Sequence, residues 1–183
     1  MPSFNIDDFT SKFTKGGALA SLFECTLTGG QGTSNASAIG DFKFLCKGVS
    51  FPASAITAAT VTYMGRSINI PGNRDAGQIT TSIYNDEMME IRNYLESWME
   101  RLNSHKSNKR ESGLEGINSY TGTMQVKQIS KDSSDFPKTY EFMNVWPSST
   151  GEIALSWDTN DIQAFDVTWE YNYWRSTDSD VGM

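Results

Sequence analysis

The sequence predicts a mainly β fold, an antiparallel β-sandwich or barrel with one flanking α-helix. Short strand-like segments alternate with clusters of Gly, Ser, Asn and Pro along most of the 183 residues, which is typical of antiparallel strands joined by turns. Residues 162–174 give the clearest strand, because apolar and polar side chains alternate from Phe165 to Tyr173, as in a half-buried strand. Residues 85–102 have the 3.6-residue period of an amphipathic helix.

Two strands are predicted near the N-terminus, at residues 22–28 and 41–47. In the second strand Phe42, Phe44 and Cys46 occupy alternate positions. The glycine- and serine-rich segment between the two strands predicts a flexible loop at the tip of a hairpin.

The middle of the chain is predicted to be extended and interrupted by turns. The Phe51-Pro52 step ends regular pairing, because proline has no backbone N–H to donate. Met64-Gly65-Arg66 separates two extended runs, and Pro71-Gly72-Asn73-Arg74 predicts a further turn. The predicted strands of this segment are 55–64, 66–70 and 77–84, the last with Ile79, Thr81 and Ile83 on one face.

The predicted helix begins near Asn85. This residue type is suited to cap a helix, and Asp86, Glu87 and Glu90 place negative charge at the positive end of the helix dipole. Apolar residues then recur every three or four positions, so one face of the helix is expected to pack on the sheet. That stripe consists of Met88, Ile91, Leu95, Trp98 and Leu102.

Further strands are predicted after the helix, and one of them is apolar on both faces. In the strand at 138–146, Phe142 lies on one face and Val145 on the other. Burial in a subunit interface explains such a strand, and so does an internal helix that covers its second face. The predicted strands of this region lie near 120–130, 138–146, 152–157 and 162–174.

Length and composition predict a single domain over residues 1–183, with flexible ends at about 1–18 and 176–183. No run of eighteen apolar residues is present, so membrane insertion is not expected. The N-terminus lacks the basic region and apolar core of a signal peptide, which predicts synthesis in the cytoplasm.

The residues offer no arrangement suited to bond chemistry, and neither an enzyme nor a bound metal or cofactor is expected. His105 is the only histidine and lies in a polar segment, where nothing apolar would tune its pKa. Cys25 and Cys46 are expected to be buried thiols within apolar runs. The net charge of −7 argues against a surface that grips nucleic acid, because phosphate binding requires clustered Lys and Arg.

Several short blocks, in a fixed order across residues 20–174, carry a resemblance to a known family. The chain resembles the tail tube proteins of contractile-tailed bacteriophages. The blocks are Met64-Gly65-Arg66, Gly72-Asn73-Arg74, Asn85-Asp86-Glu87, Val145-Trp146-Pro147 and Gly151-Glu152-Ile153.

The resemblance implies a structural virion protein of the phage tail, with six copies in a ring and the rings stacked into a hollow tube. It implies a continuous β-barrel as the inner wall, a channel occupied by DNA and the tape measure protein, and a surrounding tail sheath. Baseplate and tail terminator proteins would meet the two ends of the tube. A head-to-tail interface closes into a ring where its rotation allows.

The segment from Val49 to Arg74 is the candidate for contacts between subunits and between stacked rings, with a meander on the monomer's own surface as the alternative. The candidate interface residues are Phe51, Pro52, Tyr63, Met64, Arg66, Ile68 and Arg74.

The lumen of the tube is expected to be lined by polar faces of strands. An acidic chain predicts a lumen that repels phosphate, so that DNA passes without specific binding. The candidate lumen residues are Thr80, Ser82, Gln125 and Lys127.

Two other functions remain open from the sequence. One is a tube subunit of a type VI secretion system or of a phage-tail-like bacteriocin, which has the same architecture. The other is a monomeric β-sandwich binding module that uses the loops at 29–40 and 103–118.

Overall fold

The computed structural model describes residues 6–13, 16–31, 36–131, 138–158 and 160–176. Within these ranges the chain forms nine β-strands and four helices, and the strands pair antiparallel. The elements are α1 (Ile6–Ser11), β1 (Phe23–Gly29), α2 (Ala36–Leu45), β2 (Cys46–Ser50), β3 (Ala55–Tyr63), β4 (Arg66–Asp75), β5 (Ile79–Tyr84), α3 (Glu90–Leu102), α4 (Ile117–Tyr120), β6 (Gly122–Gln128), β7 (Lys138–Thr150), β8 (Ala164–Glu170) and β9 (Tyr173–Ser176).

Seven strands form one continuous antiparallel sheet in the order β1-β6-β7-β8-β5-β2, and β9 also pairs with β7. The long strand β7 connects its two parts: the first part of β7 pairs with β6 and β9, and the part from Trp146 onward pairs with β8. Strands β3 and β4 pair only with each other and form a separate hairpin. The prediction of a mainly β, antiparallel fold is confirmed.

A bulge at Asn144 reverses the inward face of β7. Asn144 has a φ of 59°, and the pairing with β6 shifts at this position. Phe142 and Val145 are therefore both buried in the same core, although strict alternation would place them on opposite faces. The two apolar faces predicted for this strand thus need no subunit interface to explain them.

A cluster of aromatic rings forms the centre of the core. Trp98 on α3 and Trp169 on β8 are fully buried with their ring centroids 6.1 Å apart, and Phe42 on α2 meets Trp169 edge-on at 6.1 Å. The indole N–H of Trp98 donates to the carbonyl oxygen of Tyr120 at 2.8 Å, and that of Trp169 donates to Thr81 Oγ1 at 2.8 Å. Both buried donors are therefore satisfied.

The strand predicted at 41–47 is wrong over most of its length, because α2 extends to Leu45 and β2 begins at Cys46. Phe42 is buried against the sheet, whereas Phe44 is 74% exposed. The hairpin predicted between the first two strands is also wrong, because β1 pairs with β6 and β2 pairs with β5.

Helix α3 has most of the predicted apolar face but begins at Glu90, later than predicted. Met88 was predicted to belong to that face, which is wrong, because it precedes the helix and is 73% exposed. Asn85 is not its cap, because its side chain donates to Gln163. The Asp86 carboxylate instead accepts the backbone N–H groups of Met88 and Glu90, at 3.2 and 3.0 Å. The buried side chains of α3 are Ile91, Tyr94, Leu95 and Trp98.

Three other local predictions are corrected by the structure. Strand β4 continues to Asp75 through the turn predicted at 71–74. Residues 152–157 belong to a loop, and the strand predicted at 162–174 divides into β8 and β9. The strand at 77–84 is confirmed as β5, with the predicted face buried.

The chain ends are described only in part. Residues 6–11 of the N-terminal segment form helix α1, which buries no side chain, and Ser176 completes β9. Residues 1–5, 14–15 and 177–183 lie outside the described part, and the flexible ends and the single domain remain predictions. Within the described ranges, no helix has the length and apolar character needed to cross a membrane.

Cys25 and Cys46 are free, buried thiols, as predicted. A hydrogen bond to Cys46 and burial both raise the pKa of Cys25 well above its usual value. We expect neither thiol to react with a water-soluble disulfide reagent until the protein unfolds, because the reagent needs access to a thiolate. The measurement is the reaction time course in buffer and in denaturant, and rapid reaction of either thiol in buffer would contradict this packing.

Candidate assembly surface

The β3–β4 hairpin projects from the core. All residues of both strands are exposed. The hairpin closes with Tyr63 opposite Arg66 through a two-residue turn. Both turn residues have positive φ, 45° at Met64 and 77° at Gly65, which is the type I′ geometry that matches the twist of a hairpin. Glycine adopts this conformation freely, so Gly65 favours the turn.

The hairpin has one apolar and one polar face, and both are exposed. Directly opposed residues share a face, and the face alternates along each strand. The polar face pairs Thr62 with Ser67 and Thr60 with Asn69, and Thr60 Oγ1 donates to Asn69 Oδ1 at 3.0 Å. The apolar face carries Ala59, Val61 and Tyr63 on β3 opposite Ile70, Ile68 and the stem of Arg66 on β4.

The base of the hairpin is attached to the core by several contacts. The ring centroids of Phe51 and Tyr140 lie 4.7 Å apart, and the Phe51 ring also stacks on Phe142 with a centroid distance of 6.2 Å. The Tyr171 hydroxyl donates to the carbonyl oxygen of Ala76, and burial raises the pKa of this phenol. These contacts fix the direction in which the hairpin leaves the sheet, so its exposed faces are presented in a defined orientation.

The structure divides the seven predicted interface residues into two groups. Tyr63, Met64, Arg66 and Ile68 lie together at the tip and on the adjoining apolar face. Met64 is 86% exposed. The other three, Phe51, Pro52 and Arg74, lie at the base, where Phe51 packs on the core and Arg74 donates to Ser54 Oγ at 3.4 Å.

Three members of the apolar face, Ala59, Val61 and Ile70, were not among the predicted interface residues. Their signal was present, because Val61 and Tyr63 alternate with threonines and Ile68 and Ile70 flank an asparagine. That period of two predicts a face shared by two strands.

The predicted lumen residues lie on outward faces of two different parts of the sheet. Thr80 and Ser82 alternate with the buried side chains of β5, and Gln125 and Lys127 alternate with those of β6. Strands β7 and β8 separate β5 from β6 in the sheet order. The structure thus brings together the members of each pair but keeps the two pairs apart.

Short hydroxyl side chains surround Thr80. The pairing register aligns one residue from each of four adjacent strands into a row that crosses this part of the sheet. Two residues further along β5, the next row on the same face contains Gly48, Ser82 and Asp166. The hydroxyl row consists of Ser50, Thr80, Thr168 and Ser149.

Gln125 and Lys127, in contrast, are engaged with neighbouring strands. Gln125 Nε2 donates to Glu141 Oε1 at 2.9 Å, and Arg175 Nε donates to the other oxygen of Glu141 at 2.6 Å. The hydrogen bond from Gln125 has the largest part in holding the pKa of Glu141 below its usual value, and the hydrogen bond and positive charge of Arg175 lower that pKa further. Lys127 Nζ lies 4.0 Å from Glu24 Oε1. These contacts stabilise the outward face of this part of the sheet.

The described residues do not bring together three or more His, Cys, Asp or Glu side chains that could hold a metal ion. The side chain of His105 is almost fully exposed and lies 3.6 Å from the Glu100 carboxylate. It is a surface residue, as predicted.

The fold is shared with proteins of contractile injection systems. Two structures of the PVC extracellular contractile injection system in its extended state match it with 13% sequence identity. The sheath/tube terminator matches with a TM-score of 0.62 over 89% of this chain and 98% of that chain. The sheath–tube complex matches with a TM-score of 0.59 over 91% of this chain and 95% of that chain.

The sequence comparisons show the family. The family described as phage tail tube protein matches residues 8–177. The tail tube protein gp19 of Enterobacteria phage T4 is 30% identical over 173 residues, which cover 93% of this chain and 99% of that protein. The chain belongs to the phage tail tube protein family, and it is a structural tube subunit.

Proposed function

We propose that this chain assembles head to tail into six-membered rings that stack into the hollow tail tube of a contractile-tailed phage. The observation that carries the proposal is the apolar face of the β3–β4 hairpin, which is exposed although the core is complete without it. Exposed, contiguous apolar surfaces on a soluble protein mark interaction sites. Each Ile or Val side chain of this face is about half exposed, and burying the rest of one would stabilise a contact by about 1–2 kcal/mol.

The edges of the sheet support assembly into closed rings. Strands β1 and β2 end the sheet order, so each pairs along one side only among the described residues. Unpaired strand edges favour further pairing, and a closed ring of subunits removes them. The hairpin emerges between β2 and β5 and extends this part of the molecule toward a neighbouring subunit.

The hydroxyl row around Thr80 is the surface that best suits the lumen. Its side chains are short and uncharged, and Asp166 lies in the next row on the same face of the sheet. Retention of DNA requires clustered cations on the lining. A hydroxyl and acidic lining would therefore let DNA pass into the host without specific binding, whereas Gln125 and Lys127 serve the monomer.

We propose the following location and partners for the tube. The chain would be made in the host cytoplasm and become part of the virion tail, as phage tail tube proteins do. The outer surface of the tube would contact the tail sheath, its ends would contact baseplate and tail terminator proteins, and its channel would hold the tape measure protein before DNA enters.

Electron microscopy of the purified chain tests the proposal, followed by helical reconstruction of any tubes. We expect hollow tubes of six-membered rings, spontaneously or after seeding with baseplates, and a lumen lined by the hydroxyl row. A chain that remains monomeric with baseplates present would contradict assembly. Tubes whose lumen is strongly basic would contradict only the proposed lining.

A further inference from the structure

The loop between β7 and β8, described at residues 151–158 and 160–163 and here called the β7–β8 loop, exposes large apolar side chains. Leu155 is 77% exposed, Ile162 is 73% exposed, and the side chain of Trp157 has no protection from solvent. Neither the core nor the hairpin of the same molecule covers these three residues, so the loop presents a second set of exposed apolar side chains.

This loop lies at the opposite end of β5 from the hairpin. Strand β5 follows the hairpin in the chain and ends at Tyr84, which pairs with Ala164 directly after the loop. The backbone N–H of Asn85 also donates to the carbonyl oxygen of Gln163 at 2.9 Å. Six residues of strand span about 20 Å, so the two apolar surfaces project from opposite ends of the same strand.

The ends of the β7–β8 loop are attached to the core. The N–H of Gly151 donates to the carbonyl oxygen of Asp166 at 2.6 Å, and the carbonyl oxygen of Gly151 accepts from the Arg92 guanidinium at 3.0 Å. Ile153 packs partly against the core cluster. The position of the loop is therefore set by the sheet and by α3, while its largest side chain points into solvent.

The charges of the two surfaces are complementary. The loop carries Glu152, Asp158 and Asp161 without a basic residue, whereas Arg66 is the one charged residue at the hairpin tip. Arg66 is exposed. The other charges of the hairpin, Arg74 and Asp75, are adjacent at its base. An apolar tip with a cation thus matches an apolar loop with carboxylates.

We propose that the β7–β8 loop of one subunit is the docking surface for the β3–β4 hairpin tip of a neighbouring copy of this chain. Trp157 and Leu155 pack against Tyr63 and Met64, while Arg66 faces the carboxylates of the loop. The contact joins different surfaces of identical chains, so it repeats head to tail. The inference rests on the proposed tube assembly and adds which surfaces meet within it.

Site-directed disulfide cross-linking of assembled protein tests this contact. The double variant M64C/W157C is expected to form covalent ladders longer than dimers under oxidation, because each subunit then carries one cysteine at each surface. The single variants M64C and W157C are the controls, and we expect no ladder from either. Both native cysteines are buried and can be kept.

Charge exchange gives a second test that does not depend on the apolar contacts. R66D is expected to lower tube yield about tenfold or more, because like charges across an interface cost several kcal/mol, and R66D/D158R is expected to recover most of that yield. K109D, a charge reversal at an exposed lysine in another loop, serves as the control and leaves tube yield unchanged.

The outcomes separate this inference from the proposed function. Wild-type tubes that form normally while M64C/W157C gives no ladder and D158R gives no rescue would overturn the docking surface and leave tube assembly standing. The chain has five tryptophans, so the part of the fluorescence that W157F removes gives an independent readout of Trp157. Quenching by iodide should fall when bare tubes form. If it falls only after sheath protein is added, the loop binds sheath and the inference is wrong.

Discussion

Replacement of Trp98 by alanine is expected to lower the free energy of unfolding by about 3–5 kcal/mol, the range for removing a buried Trp or Phe side chain. Trp98 is fully buried between α3 and the sheet, and its ring contacts those of Tyr94 and Trp169. The substitution leaves a cavity and also leaves the carbonyl oxygen of Tyr120 without its donor. Domains of this kind have only about 5–15 kcal/mol of stability, so the loss removes a large part of it.

Chemical denaturation of the monomer, followed by circular dichroism, measures this effect. W157A is the matched control, because the same substitution removes an exposed ring, and we expect a change within about 0.5 kcal/mol. Equal destabilisation by the two substitutions would show that burial of Trp98 does not organise the core. The comparison also tests whether the subunit folds without the Trp157 ring, which the W157C variants of the cross-linking experiment require.

Strands that alternate apolar and polar residues, and that pair with another strand on both sides, were predictable from the sequence. In β5 and in β8, every second side chain is buried as the alternation predicts. The apolar face of α3 was predictable for the same reason, since Ile91, Leu95 and Trp98 recur at helical spacing and are all buried. In each of these elements the apolar residues fit either the strand period of two or the helix period of 3.6, and they do not fit the other.

Helix α2 was not predictable because two periods fit the same residues. Ala38, Phe42 and Cys46 are buried at intervals of four, whereas Phe42, Phe44 and Cys46 also alternate. A short apolar run does not distinguish a strand from a buried helix, and the contacts of α2 with β1 and α3 decide in favour of the helix. The bulge at Asn144 is a similar case, because one inserted residue changes which side chains face inward.

The hairpin and the β7–β8 loop show that the sequence does not predict which apolar surfaces stay exposed. The turn at Met64-Gly65 and the two runs around it were predictable from residue types. That both faces of this hairpin are exposed was not, because periodicity defines which residues share a face and says nothing about what covers that face. The run from Ile153 to Trp157 has the composition of a strand, yet it finds no strand partner among the described residues and forms a loop.

A single carboxylate on the apolar face of the hairpin is expected to abolish tube assembly without unfolding the subunit. I68D removes the burial of the exposed part of Ile68, which is 57% of the side chain and is worth about 1–2 kcal/mol per contact. It also adds a charge that would have to lose its water in the interface. Each 1.4 kcal/mol is a factor of ten, so the concentration needed for assembly should rise about five- to thirtyfold from the burial term alone. The monomer should unfold as the wild type does, because Ile68 is 57% exposed and is not part of the core cluster.

N69D is the matched control for I68D, because it places the same charge one residue away on the opposite face of the same strand. Its carboxylate keeps the oxygen that accepts from Thr60 Oγ1, so the hairpin itself is preserved. Sedimentation and electron microscopy over a concentration series should show tubes for N69D near the wild-type concentration and none for I68D. Loss of assembly in both variants would mean that added charge anywhere on the hairpin prevents stacking. Tubes from both would mean that the apolar face lies outside the subunit contacts. Only a difference between these neighbouring residues assigns the contact to one face of the hairpin.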